Sequence, residues 1–164
     1  MYNILGFNFT SINVENKISS PEQTRVKTDV SITDLKKDSL PQFSKDKELI
    51  SLSFKFSAEY FKNEAPKDQK EKKQAKLSSQ SIAQVILLGK MVLSLTKEQA
   101  AFFELAWKKK DLPQEHKLPI YNFILNKCTI KALQLEEDLG LPTHFPLPKL
   151  VPQQPDEKRV QENI

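Results

Sequence analysis

Two histidines, one cysteine and a run of three acids are the side chains from which a reaction centre would have to be built. His116 and His144 stand 28 positions apart (144 minus 116), each in an expected loop, with no cysteine or carboxylate spacing that resembles a zinc site. Cys128 has the chemistry of a nucleophile, but it falls within an apolar stripe and is expected to pack as a small hydrophobe. Glu136, Glu137 and Asp138 offer carboxylates for acid and base work. Neighbours on a helix do not face one another, however, and acids at a helix C-terminus oppose its dipole, so a solvated cluster is expected. The three glycines, Gly6, Gly89 and Gly140, are too scattered to cradle a phosphate. No catalytic set, cofactor or metal is therefore expected; an enzyme would need a deep polar pocket gathering His116 or His144 with the helix-end acids.

Nucleic-acid binding would require basic residues clustered on one face. The excess of charge is small, 25 basic against 21 acidic residues, and the two signs are mixed along the chain. The densest basic stretch, Lys62 to Lys76, also holds Glu64, Asp68 and Glu71 and is expected to be a solvated hairpin loop. Trp107 and the paired Phe102 and Phe103 are expected in the core or at a subunit contact rather than stacked on bases.

These side chains need elements to position them, and four β-type segments come first. Asn3 to Ile18 places Phe7 and Phe9 on one parity and Ile12 and Val14 on the other, which predicts a bulge or a change of buried face. Arg25 to Thr33 alternates Val26, Thr28, Val30 and Ile32 with polar residues, and Asp34 to Lys47 reads as a polar connection. Ile50 to Tyr60 keeps a period of two throughout. Ala75 to Leu95 becomes apolar on both parities from Ile82, with Gly89 expected at a bulge or a close backbone approach.

Two helices follow. Thr96 and Gln99 have capping-box form, and Pro113 closes the first helix. Pro119 suits the first turn of the second and Gly140 its left-handed stop. Along it Tyr121, Leu125, Cys128, Ala132, Leu135 and Leu139 recur at steps of four and three, a stripe expected to face a partner surface. Strands followed by helices predict an α+β fold, a four-stranded antiparallel sheet with helices packed on one face. The 164 residues fit a single domain over 1–150 with a polar tail over 151–164. A lone cysteine, no signal-like N-terminus and no apolar run of about 20 residues lead to the expectation of a cytoplasmic protein without membrane insertion.

Three stretches carry a family likeness. FNFTSINVENKIS, from Phe7 to Ser19, resembles the first strand of the SecB export chaperones, and VKTDVSI, from Val26 to Ile32, resembles their second. LPIYNFILNKCTIKALQLEEDLGLPTHFPLPKL, from Leu118 to Leu150, is similar to their long helix and the proline-containing loop after it. The resemblance implies a homotetramer, a dimer of dimers, with the stripe from Tyr121 to Leu139 facing other subunits or the sheet. It further implies an ATP-independent holdase for unfolded polypeptides, with a handover to the motor SecA in export. Client contacts carried over by position are Phe145, Leu147 and Leu150. The short link from Ser19 to Thr24, the weak final segment and the basic balance depart from the family pattern.

Two other readings stand beside the holdase. One is a dedicated chaperone for a single client, such as the antitoxin of a toxin-antitoxin pair. The other is a non-catalytic scaffold subunit whose stripe serves assembly alone.

Overall fold

In the computed structural model, which describes residues 2–19, 24–38, 46–62 and 81–148, the elements follow the expected order. Strands β1 (Asn3–Asn16), β2 (Thr24–Asp38), β3 (Lys47–Lys62) and β4 (Ala83–Thr96) precede helices α1 (Lys97–Lys108) and α2 (Gln114–Asp138). The strands form one antiparallel sheet in the order β1-β4-β3-β2. Three hairpin-ordered strands with the first laid beside the last make a Greek-key arrangement. It leaves β1 and β2 as opposite edges.

The alternating pattern decides which face is covered. On β3, Ile50, Leu52, Phe54, Phe56, Ala58 and Tyr60 are all buried, and on β4 Val85, Leu87, Met91, Leu93 and Leu95 match them. These two central strands pair along their whole length, and the helices lie over this inner face, where Ala100, Phe103, Ile120, Ile124, Cys128 and Ala132 join the same core. Each fully buried aliphatic or aromatic side chain contributes about 1.5–3 kcal/mol.

The parity switch in β1 is a bulge. The pairing with β4 shifts between Phe9 and Ser11, so Phe9 stands opposite Gly89 and Ile12 opposite Leu87. One inserted residue keeps both apolar pairs on the inner face. Gly89 is a close approach: a Cβ there would meet the Asn8 carbonyl oxygen at 2.5 Å and the Phe54 ring. That ring stacks on Phe7 with centroids 4.9 Å apart.

The start of α1 and the end of α2 have local causes. The Gln99 N–H donates to Thr96 Oγ1 at 3.3 Å and the Thr96 N–H to Gln99 Oε1 at 3.2 Å, the reciprocal capping box. Gly140, at φ 64°, ends α2, its N–H donating to the Glu137 carbonyl at 3.2 Å while the Leu141 N–H donates to that of Glu136 at 2.8 Å.

Two expectations are corrected, and a third lies partly outside the described residues. β2 runs on to Asp38 through the segment read as a polar connection, because a register shift after Ile32 brings Leu35 opposite the buried Leu52 while Asp34 and Lys36 face outward and pair at 3.1 Å. The polar residues are the solvent face of a strand, not a loop. α2 begins at Gln114, with Pro113 as its N-cap and Pro119 inside the helix, so His116 belongs to a helix rather than a loop. Pro119 there forgoes only one hydrogen bond, early in the helix. The last strand starts at Ala83, and residues 75–80 lie outside the described residues, as do most of the lysine-rich stretch and the tail 151–164.

Candidate functional site

α2 crosses the inner face on a single row of side chains. Ile120, Ile124, Cys128, Ala132 and Glu136 are its buried residues, each four positions from the next. Such a row is inclined to the helix axis, so the contact line winds along the helix as it crosses the strands. The expected stripe is displaced from this row. Cys128 and Ala132 lie on it, inside the chain's own core; Tyr121, Leu125 and Leu135 are half-buried at its sides, and Leu139 is exposed.

The flanks differ in what they meet. Phe123 packs on Phe7 of β1, ring centroids 5.7 Å apart. Tyr121 instead helps line a cavity of about 590 Å³ whose other walls include Ile32 of β2 and Ala106 and Trp107 of α1. Leu112 closes its apolar side, while Lys110, Asp111, Gln114 and Lys117 supply its polar rim. The cavity thus sits where the α1–α2 turn overhangs the β2 edge, at a volume usual for ligand pockets.

Past α2 the chain returns to the same inner face. His144 stands edge-on to Phe56 of β3, centroids 5.7 Å apart, and Phe145 edge-on to His144 at 5.0 Å. Val30 of β2 is the strand partner of Phe56, and Ile32 that of Phe54. The cavity and the segment around His144 are therefore set over neighbouring positions of β2 and β3. Phe145 is half-buried and Leu147 exposed; Leu150 lies outside the described residues.

A buried polar cluster fastens that segment, and here the sequence reading of the acids is overturned for one of them. Glu136 is fully buried, whereas Glu137 and Asp138 are exposed as expected. The Tyr60 hydroxyl donates to Glu136 Oε1 at 2.6 Å, His144 Nδ1 lies 2.7 Å from the same oxygen, and the His144 backbone N–H donates to Oε2 at 3.3 Å. A carboxylate can be buried when donors surround it in this way. Burial, and then the bond to Glu136, hold the Tyr60 hydroxyl far above its ordinary acidity range.

This is the gathering of His144 with a helix-end acid that an enzyme would need, but it is sealed. The side chains of His144 and Glu136 are 4% and 0% exposed and Tyr60 is 0% exposed, and neither His144 nor Glu136 lines the cavity. Its geometry serves to pin the chain after α2 to β3. His116 sits apart, in an aromatic nest with Phe102 and Phe103 at 5.8 and 5.4 Å. Burial pushes the Cys128 thiol up to about 12, the opposite of an activated nucleophile. Among the described residues no group of three or more His, Cys, Asp or Glu side chains is placed to hold a metal, and no helix is long and apolar enough to cross a membrane.

β1 and β2 are the two edges of the described sheet. β1 carries two register shifts, after Ile4 and after Phe9, whereas β2 pairs without interruption from Thr24 to Ile32. Bulges interrupt an edge ladder, so β2 is the more regular template for an added strand. Sequence reasoning missed the cavity and the Tyr60–Glu136–His144 cluster; the run of overhanging residues from Trp107 to Tyr121 becomes a site only once β2 is known to lie beneath it.

No family model matches this sequence, and no curated protein matches it. Among solved structures, the Mycobacterium tuberculosis Rv1957 SecB-like chaperone, in complex with a ChAD peptide from the Rv1956 HigA1 antitoxin, is similar over 93% of this chain and 93% of that chain, with 14% identity and a TM-score of 0.45.

Proposed function

We propose that the protein is a non-catalytic, ATP-independent holdase that binds extended, non-native polypeptides along the β2 edge and the adjoining groove. The observation that carries this reading is the edge of β2, regular from Thr24 to Ile32, whose Ile32 end lies beneath a partly apolar cavity. An added strand would take its main-chain hydrogen bonds from β2 and set alternate side chains against Val26, Val30 and Ile32, which are half-buried. Phe145 and Leu147 would supply further apolar contact at the segment pinned by His144. Each such contact is weak against the entropy of ordering a client, so affinity grows with the number engaged. In this reading the exposed Leu139 and the half-buried Tyr121, Leu125 and Leu135 keep area available for contacts in a tetramer.

The test is dilution of a chemically unfolded, unrelated protein into buffer without nucleotide, followed by light scattering. Suppressed aggregation, reduced by Thr28→Asp at an exposed position on the inner side of β2, supports the holdase. Undiminished aggregation, with selective retention of one native client, points to the dedicated chaperone; retention of neither points to a scaffold.

A further inference from the structure

The turn over the cavity holds a lysine where helices commonly end on glycine. Lys110 has φ 56°; its N–H donates to the Trp107 carbonyl and that of Asp111 to the Ala106 carbonyl, both at 3.0 Å. The backbone pattern is the left-handed helix stop, kept here with a charged side chain at an energetic cost. Lys110 lines the cavity together with Lys117, whose ammonium lies 5.5 Å from the centroid of the Tyr121 ring. Neither lysine has an ion-pair partner among the described residues. Against these two cations the lining sets one carboxylate, Asp111. The cavity therefore combines apolar walls with an excess of positive charge.

We propose that this cavity is a specificity subsite for an acidic side chain of an extended polypeptide. A strand added to the β2 edge with an apolar residue beside Ile32 would carry its next same-face residue, two positions along, toward the α1–α2 turn. A carboxylate there would pair with Lys110 and Lys117 while the apolar residue packed on Ile32 and Trp107. The preferred client segment is then apolar, any residue, acidic. The inference rests on the polypeptide-binding reading above.

The test uses the full chain and two amidated, tryptophan-free peptides, identical except for Asp or Asn two positions after the apolar anchor. Trp107 is the only tryptophan and lines the cavity, so its emission reports occupancy while anisotropy of labelled peptides gives affinity. The Asp peptide is expected to bind roughly threefold to tenfold more tightly at low salt, with the advantage fading as salt rises. In the K110Q/K117Q variant the ratio of the two constants should fall to about one. Equal affinities in the unsubstituted protein, or an advantage that survives K110Q/K117Q, overturn the subsite while leaving polypeptide binding intact. Binding of neither peptide overturns both.

Discussion

The Tyr60 hydroxyl donates to Glu136 Oε1 at 2.6 Å across 76 residues of sequence, tying the end of β3 to the end of α2. Tyr60→Phe removes one donor from a fully buried carboxylate and should lower stability by about 1.5–3 kcal/mol in urea denaturation. Because the folded chain holds the Tyr60 proton above the ordinary value of 10.0, this stabilisation is complete below pH 10 and is lost as pH rises through the folded value. Alkaline unfolding of the native protein should therefore steepen above pH 10, and Tyr60→Phe should flatten it. An unchanged alkaline limb in the variant would remove the linkage.

Gly89 is held by packing, not by its backbone angles. Gly89→Ala would drive a methyl group into the Phe54 ring and the Asn8 carbonyl, and is expected to cost about 1–3 kcal/mol as overpacking. Pairing it with Phe54→Leu in a double-mutant cycle should recover part of that loss, because the ring is the softer of the two obstacles. Full additivity would show that the ring contact is not the cause.

Cys128 is predicted inert. Fully buried, with its thiol pushed up to about 12, it should resist a thiol reagent in the native state and react at the ordinary rate in denaturant. Fast native labelling would mean that α2 leaves the sheet readily.

Lys110→Gly relieves the left-handed residue at φ 56° and should stabilise the chain by about 1 kcal/mol, measured as a rise in urea midpoint. The same change should weaken the acidic peptide, so stability and recognition move in opposite directions at one residue.

Much of the fold was legible because its determinants are local. The parity break between Phe9 and Ile12 announced the β1 bulge, Thr96 with Gln99 announced the start of α1, and Gly140 announced the end of α2. The site was less legible because its determinants are not local. Asp34 to Asp38 looks polar along the chain and becomes a strand only through pairing with β3. Glu136 looks like one of three surface acids until Tyr60 and His144 are brought to it. The apolar stripe in the α2 sequence recurs at steps of four and three, whereas the buried row keeps strictly to four and begins at Ile120; the sheet that selects this row cannot be read from the helix alone.

In the proposed function the client docks on the β2 edge. Hydrogen exchange of the full chain, alone and with a chemically unfolded polypeptide, tests it most directly, since backbone amides at an open edge exchange freely until a strand covers them. Docking there should slow exchange within Thr24–Ile32 and in the Lys109–Lys117 turn region on adding the client, with β1 unchanged. Slowing confined to β1, or none anywhere, would contradict it.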